Sequence, residues 1–399
     1  MKILWVKTDF LHPTTRGGQI RTLEMLKALH RRHEIHYVAL DDGLNPEGPR
    51  RSGEYCSRAY RVPHSVPPRR SIRFAGQLLR GLVSPVPVPV ARYVSSAMKR
   101  QIEKLLSQEK FDSLVCDFLF PAPNIPDISR AVLFQHNVES VIWRRHADEA
   151  RQAAKKAYFR LQATRMEKFE RDVCRQAGHI IAVSDVDRAA MHELFGAKRI
   201  SSVATGVDIE YFAPPQAAEP RADLIFVGSM DWLPNIDAIE YFAAEILPLI
   251  HKERPQCRLL VAGRRPTPAL QELARREPRI ILTGTVPDVR PYLWGSTVSI
   301  VPLRIGGGTR LKIFEAIAAK LPVVSTSVGA EGLPLEDDKQ ILIADTADVF
   351  ARSCLKLLAD AAMRRQIAEN AWQFVAGRFS WEAVTGDFEG ALEAGPRPN

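Results

Sequence analysis

The chain has 399 residues, enough for two or three domains that each bury a core of their own. A hydrophobic content of 46% and a charged content of 25% are typical of globular proteins, and no apolar run reaches the roughly 18 residues of a membrane span. The formal net charge of +9 favours anionic partners. No zinc finger, RNP-type aromatic strand or basic zipper accompanies that charge, so nucleic acid is not an expected partner.

The first strand and the cysteines indicate the compartment. MKILWVKTDF at the N-terminus has neither the long apolar core nor the small-residue cleavage site of a secretion signal. The cysteines form no CxxC pair, zinc spacing or even-numbered disulfide set (Cys56, Cys116, Cys174, Cys257 and Cys354). We therefore expect a cytoplasmic protein with reduced thiols and without a metal site.

Short apolar segments alternate with amphipathic ones through the first half of the chain. Strands are predicted at residues 2–8, 34–40, 113–117, 131–135 and 179–184. Helices are predicted at residues 17–32 and 95–108, across residues 139–176, and from residue 185 onward. Residues 50–91 are rich in proline and arginine and weakly periodic, which predicts a long loop with one helix near residues 72–82.

The alternation restarts after a turn-rich segment at residues 205–220. Strands are predicted at residues 223–227, 258–262, 280–283, 299–302, 322–326 and 341–344, with a helix over residues 235–254. Such alternation is typical of parallel sheets with helices on both faces. The sequence therefore predicts an α/β protein with two doubly wound, Rossmann-like domains, residues 1–205 and 206–378.

Ligands of such open sheets bind beyond the carboxyl ends of the strands. Gly17, His136, Gly228, Gly263 and the glycine run 306–308 all follow predicted strand ends. No G-x-G-x-x-G spacing, P-loop, G-x-S-x-G elbow or H-E-x-x-H pair occurs. These absences disfavour hydride transfer, ATP hydrolysis, serine esterase and zinc hydrolase chemistry.

The segment IGGGTRLKIFEA, residues 305–316, joins a glycine loop to a helix. Free N–H groups and the dipole at a helix N-terminus favour an anion, and Arg310 and Lys312 add positive charge there. Glu315 lies one turn further along, where its carboxylate can accept hydrogen bonds from sugar hydroxyls. The pattern indicates a site for a diphosphate and a ribose, as in a nucleotide-sugar. The alternative is an ordinary strand-to-helix crossover with a basic surface.

With these features the chain resembles the retaining glycosyltransferases of the GT-B fold, of the family 4 type that includes many bacterial polysaccharide and exopolysaccharide enzymes. The resemblance extends over nearly the whole chain and rests on TGVD at residues 205–208, FVG at 226–228, VAG at 261–263, GTV at 284–286, and the run from EA at 315–316 to LPVV at 321–324. It implies two Rossmann-like domains facing each other across a cleft, with a last helix, residues 379–399, that crosses back toward the first domain.

The resemblance also implies partners and roles. The donor is a nucleotide-sugar such as a UDP- or GDP-sugar, the acceptor is a glycan or a lipid-linked glycan, and no metal is needed. The implied catalytic residues are His136, Arg310 and Lys312. The implied donor-binding residues are Gly17, Gly18, Gly228, Val286, Gly307, Gly308, Thr309 and Glu315. For His136 the alternative is a locally bonded residue at a strand end, and for Gly17 and Gly18 it is an ordinary tight turn.

Two positions depart from the family's pattern. Gly307 stands where the first of two acidic residues, eight positions apart, is usual, and Glu315 matches the second. The loop after Gly228 lacks the usual Arg and Lys. We expect Arg310 and Lys312 to supply the missing positive charge, with backbone amides of residues 307–308 at the phosphate or the sugar.

The sequence is consistent with three functions. The first is a retaining glycosyltransferase of polysaccharide biosynthesis, the second a nucleotide-sugar epimerase of the same fold, and the third a non-catalytic sugar-nucleotide-binding protein. Residues 69–80, RRSIRFAGQLLR, are either a patch that touches an anionic membrane at its inner face, near a lipid-linked acceptor, or a basic surface helix.

Overall fold

The computed structural model describes residues 1–14, 17–67, 71, 76, 81, 84–149, 152–216, 221–305 and 311–398. These residues divide into two compact units. The first consists of the described residues within 1–205 together with 381–398, and the second of those within 206–305 together with 311–380.

The described part of the first unit contains a parallel sheet of seven strands in the order β3-β2-β1-β4-β5-β6-β7. Its strands are β1 (Lys2–Lys7), β2 (Glu34–Asp41), β3 (Arg58–Pro63), β4 (Ser113–Asp117), β5 (Val132–Gln135), β6 (His179–Ala182) and β7 (Ile200–Ser202). In the centre, Trp5 of β1 lies opposite Tyr37 of β2 and Val115 of β4. The central strands are buried on both faces, which explains their continuous apolar runs.

The longer helices of this unit are α1 (Gly17–His30), α2 (Ser96–Gln108), α3 (Glu139–Glu149), α4 (Ala153–Gln176) and α5 (Asp185–Phe195). Short helical turns occur at Glu47–Arg50, Ser52–Glu54, Val88–Ala91, Ala122–Asn124 and Ile128–Arg130. Local sequence sets the ends of α2 and α5. Ser95 and Ser184 cap their first turns, and α5 stops at Gly196, whose φ of 69° is left-handed.

The second unit contains, among its described residues, six parallel strands in the order β10-β9-β8-β11-β12-β13. They are β8 (Ala222–Val227), β9 (Leu259–Ala262), β10 (Ile280–Gly284), β11 (Ser296–Val301), β12 (Val323–Ser325) and β13 (Leu342–Ile343). Its longer helices are α6 (Leu233–Tyr241), α7 (Leu247–Glu253), α8 (Pro268–Arg276), α9 (Leu311–Ala318), α10 (Ala347–Ala359) and α11 (Ala361–Arg378). Short turns lie at Ile209–Phe212, Arg290–Trp294 and Ser327–Ala330.

The last helix, α12 (Trp381–Glu393), belongs to the first unit. Alternate residues of β1 enter two separate cores, one on each face of the sheet. Leu4 packs in the core that includes residues of α2, whereas Trp5 packs in the core that α1 and α12 complete. Phe388 of α12 lies against the rings of Trp5 and Phe134, with centroid distances of 5.7 and 4.9 Å.

Two edge strands and one helix differ from the sequence prediction. Within residues 50–91, where a long loop was expected, Arg58–Pro63 forms β3, and β7 was not predicted. In β3 only Val62 is buried, so the apolar run that marks an inner strand is missing. The helix expected at residues 72–82 lies outside the described residues except for Gly76 and Gly81.

The predicted helix 235–254 is divided between α6 and α7 by a π-helical turn, Phe242–Ile246. Pro248 has no N–H to donate to the carbonyl four residues earlier, and the helix widens just before it.

Candidate functional site

The carboxyl ends of β1, β4 and β5 bring three polar side chains together inside the first unit. Lys7 ends β1, Asp117 ends β4, and His136 follows β5. Each of the three residues is at most 4% exposed. Because the strands are parallel and adjacent, their ends meet at the sheet edge where ligands of such folds bind.

Asp117 is the centre of this group. Its Oδ1 contacts Lys7 Nζ at 2.9 Å and His136 Nε2 at 2.8 Å. Its Oδ2 accepts hydrogen bonds from Trp5 Nε1 at 2.9 Å and from Thr22 Oγ1 at 2.8 Å. The two oxygens therefore have four donors, which is the full capacity of a carboxylate.

Burial and neighbouring charge set the protonation of this group. Burial alone would raise the pKa of Asp117, but Lys7 and His136 hold it well below its usual range. Burial lowers the pKa of His136 to about 4, although Asp117 acts in the opposite direction. At neutral pH the site therefore contains an ionised Asp117 beside a neutral imidazole.

The other imidazole nitrogen faces the start of α1. Among the described residues, no hydrogen-bond partner contacts His136 Nδ1. This atom lies 3.5 Å from the position that a Cβ on Gly18 would occupy, and α1 begins at Gly17. Three residues that the sequence assigned to one site, Gly17, Gly18 and His136, are thus brought together at a helix N-terminus.

Aromatic rings hold the imidazole in place. Phe118 stacks on it with a centroid distance of 4.7 Å, and Phe134 packs at 4.4 Å. Phe118 has a φ of 82°, a left-handed conformation that is costly for a bulky residue. Beyond the imidazole, buried Glu170 of α4 accepts the N–H groups of Glu139 and Ser140 and so fixes the start of α3.

In the second unit, Lys312 reaches the end of β8. Its Nζ donates to Asn235 Oδ1 at 2.7 Å and lies 4.2 Å from the ring centre of Phe226. The same atom lies 3.0 Å from the position that a Cβ on Gly228 would occupy. The side chain therefore points to the strand end rather than to solvent, and Lys312 and Gly228 form one group.

Backbone crowding at this sheet edge requires glycine. A Cβ on Gly263 would lie 1.7 Å from the carbonyl oxygen of Gly228, so the loops after β8 and β9 are in direct contact. A Cβ on Gly228 would meet Asn235 Nδ2 at 2.7 Å. Arg264 follows Gly263 and donates from Nε to Ser229 Oγ at 2.7 Å, so a guanidinium lies beside the loop that lacks a base of its own.

Glu315 is half-buried on α9, one turn beyond Lys312. Burial raises its pKa to about 7, and Lys312 acts in the opposite direction. Val286 is half-buried two residues beyond the end of β10, at the same sheet edge. Gly307, Gly308, Thr309 and Arg310 lie outside the described residues, as do the arginines of segment 69–80.

Sequence reasoning missed Lys7, Asp117 and Thr22. The available signal was a polar residue at the last position of an apolar strand, which both Lys7 and Asp117 provide. The partners are separated by many residues in sequence, so only the strand order could have shown that they meet.

In the described part of the chain, the ligand atoms of Glu34, His36 and Glu109 lie close enough together to hold a metal ion, within 4.8 Å. Glu34 begins β2, so this group is at the sheet edge opposite Asp117. Lys2 Nζ contacts the carboxylates of Glu34 and Glu109 there. The ammonium already supplies the positive charge, which indicates a structural ion-pair network.

No described helix combines the length and apolarity that crossing a bilayer requires.

Two family models match the chain. The model for Glycosyltransferase Family 4 matches residues 15–211, and that for Glycosyl transferases group 1 matches residues 221–360. An uncharacterised 44.6 kDa protein in the cps region of Klebsiella pneumoniae is 21% identical over 96% of this chain and 97% of its own length. The O-antigen chain mannosyltransferase B of Escherichia coli is 30% identical over 55% of this chain and 61% of its own length.

Solved structures agree with these matches. Sucrose-phosphate synthase from Thermosynechococcus elongatus superposes with a TM-score of 0.73 at 16% identity, covering 99% of this chain and 98% of that one. Anabaena Alr3699/HepE, solved with UDP and glucose, gives a TM-score of 0.67 at 14% identity, covering 99% and 100%. With the two parallel sheets, these neighbours show the GT-B fold, and the two family models show that the chain belongs to the group 1 and family 4 glycosyltransferases.

Proposed function

We propose that this glycosyltransferase moves a sugar, with retained anomeric configuration, from a nucleotide-sugar to a glycan or lipid-linked acceptor in polysaccharide biosynthesis. The observation that carries the proposal is the position of Lys312 beside Gly228, with the half-buried carboxylate of Glu315 one turn further along α9. The names of the similar mannosyltransferase and of the neighbour bound to UDP and glucose support the donor and acceptor classes.

These side chains suggest how the nucleotide-sugar donor is bound and how its leaving group is stabilised. A leaving nucleoside diphosphate gains negative charge as the glycosidic bond breaks, and a fixed ammonium stabilises that charge. Lys312 supplies it, Arg310 is proposed to act with it, and Glu315 accepts hydrogen bonds from the ribose hydroxyls. The start of α1 and His136 are proposed to contact the donor sugar or its phosphate.

A donor panel tests the function. The protein is incubated with UDP-, GDP- and TDP-sugars, and thermal shift and release of the nucleoside diphosphate are measured. We expect one donor class to stabilise the fold and to be hydrolysed slowly without acceptor, with transfer once an acceptor is supplied. Epimer formation would favour an epimerase, and binding without turnover of any donor or acceptor would favour a non-catalytic protein. Proton NMR of the product decides between retention and inversion.

Transfer should not require a divalent metal. In the proposed donor site, cationic side chains and backbone amides take the place that a metal has in other transferases. We expect initial rates in excess chelator to equal those in buffer alone. Loss of turnover in chelator that is fully restored by manganese would contradict this prediction.

Donor affinity should depend on pH through Glu315, whose pKa is raised to about 7 from the usual 4.5. Ribose hydroxyls bind the ionised carboxylate, so uridine or guanosine should bind more tightly as pH rises from about 6 to about 8. The contribution of Glu315 to folding stability changes with pH in the opposite direction. Between pH 4.5 and about 7 the unfolded chain loses this proton while the folded protein keeps it, so the contribution of Glu315 falls as pH rises.

Calorimetric titrations of wild type and Glu315→Gln with both nucleosides measure this effect. The variant should bind more weakly and should lose the pH dependence, whereas Glu336→Gln, on the exposed surface of the same unit, should behave as wild type. Equal affinities of wild type and Glu315→Gln at both pH values would remove Glu315 from the ribose site.

We further propose a cytoplasmic location with peripheral contact at the inner face of the membrane, carried by residues 69–80. Sedimentation with vesicles that contain anionic lipid should show binding that weakens with salt. Replacing Arg69, Arg70, Arg73 and Arg80 by glutamine should abolish it, and absence of binding at low salt would remove the proposal.

A further inference from the structure

We propose that Asp117 is a positioning residue that fixes His136 in the tautomer with its hydrogen on Nε2, so that Nδ1 is presented as a lone-pair acceptor to a hydroxyl group of the bound sugar. The role of this acceptor rests on the proposed function. The tautomer itself does not, because it is a property of the unliganded protein.

Only one set of hydrogen-bond directions is consistent with the contacts of Asp117. An ionised carboxylate only accepts, so each of its four partners must donate. Lys7 Nζ also donates to Thr22 Oγ1 at 3.1 Å, and the hydroxyl hydrogen of Thr22 is then directed to Asp117 Oδ2. For the contact of 2.8 Å between His136 Nε2 and Asp117 Oδ1 to be a hydrogen bond, the imidazole must carry its hydrogen on Nε2.

A second proton on Nδ1 is opposed by the surroundings. His136 is buried, and the positive charges of Lys7 and Arg21 lower its pKa, which together outweigh the attraction of Asp117. Phe118 and Phe134 pack against the ring and restrain its rotation. Nδ1 is therefore a buried acceptor, without a partner among the described residues, at the start of α1.

The tautomer selects the ligand group. A lone pair repels a phosphate oxygen that carries no hydrogen, but it accepts a hydrogen bond from a hydroxyl. The N–H groups at a helix N-terminus can donate to the oxygen of that same hydroxyl, and α1 begins at Gly17. A Cβ on Gly18 would lie 3.5 Å from Nδ1, so any larger residue at position 18 would contact this nitrogen. The acceptor nitrogen thus assigns this corner of the first unit to a sugar hydroxyl rather than to the diphosphate.

The test measures the tautomer directly. Nitrogen-15 NMR of histidine-labelled protein, with the His136 signals identified by their loss in His136→Asn, should show a neutral ring at neutral pH with an unprotonated Nδ1. Asp117→Ala should be examined next, because it removes the acceptor of the Nε2 hydrogen and with it the preference for this tautomer. Asn would not serve, since its amide oxygen would turn toward Lys7 and His136 and keep the same tautomer. The matched control is Asp112→Ala, at an exposed aspartate beside the amino end of the same strand.

In Asp117→Ala we expect a population of rings protonated on Nδ1, and a fall in kcat/KM for the donor sugar of about 10- to 100-fold, the size of losing one buried hydrogen-bond partner. Affinity for the free nucleoside diphosphate, which has no sugar hydroxyl at this position, should change less than about twofold, and Asp112→Ala should match wild type. A protonated Nδ1 in the wild-type protein would overturn the proposal even if the variant failed to fold.

An unchanged tautomer or an unchanged kcat/KM in a folded Asp117→Ala protein would also overturn it. If the wild-type tautomer is as proposed but no donor of the panel is turned over, the tautomer assignment stands and the proposed function fails.

Discussion

Lys312→Met should lower kcat by about 10²- to 10³-fold, the usual effect of removing one preorganised group that stabilises charge in a transition state. The variant should bind UDP or GDP more weakly than wild type does, with a smaller loss for uridine or guanosine, because only the diphosphate meets the ammonium. Methionine keeps most of the volume against Phe226 and Gly228, so the fold should persist.

Lys320→Met is the matched control for this prediction. Lys320 lies just beyond the end of the same helix, is half exposed, and pairs with Glu369 on the surface. It should keep wild-type turnover and wild-type affinity. If Lys312→Met is folded and turns over like the control, Lys312 is not part of the donor site and the donor assignment loses its main support.

Lys7→Met should destabilise the first unit by about 3–5 kcal/mol, because it leaves the buried charge of Asp117 without its cation. The ion pair is almost fully buried, with side-chain exposures of 5% and 0%. His136 is then the neighbour that can gain a positive charge, so its pKa should rise from about 4, and the loss of stability should be smaller in acid. Urea unfolding followed by hydrogen exchange in peptides from β1 and β4 reports on this unit alone.

Lys2→Met, at the other end of β1, is the control. Its ion pairs with Glu34 and Glu109 are partly exposed, so we expect a loss of no more than about 1 kcal/mol. The double variant Lys7→Met, Asp117→Asn should recover much of the stability lost in Lys7→Met. Equal effects of Lys7→Met and Lys2→Met would mean that the charge at Asp117 is compensated from elsewhere.

The inner parts of both sheets were predictable because a strand buried on both faces needs a continuous apolar run, and β1, β4, β8 and β11 have one. The edge strands could not be predicted, because their pairing depends on the backbone and half of their side chains face water. Local patterns also indicated Gly17, Gly18 and His136, since glycines and polar residues after strands are visible in sequence.

The network at Asp117 could not be predicted in the same way. Its contacts join residues 95 and 112 positions apart, and they form because β4 is inserted between β1 and β5. The direction in which the Lys312 side chain points could not be predicted from the sequence either. It depends on Asn235 in α6, which presents an amide oxygen to the ammonium from another part of the unit.

The position of α12 has a consequence for how the protein is made. Val384, Phe388 and Leu392 complete the core around Trp5 and Phe134, yet the ribosome adds them only after the whole second unit has been synthesised. The usual order, in which the N-terminal domain folds first during synthesis, cannot be completed here. Until α12 arrives, the apolar face of α1 lacks its cover. A fragment of the first unit that ends at residue 205 should therefore be aggregation-prone, and a permuted chain that links α12 directly to residue 205 should fold on its own.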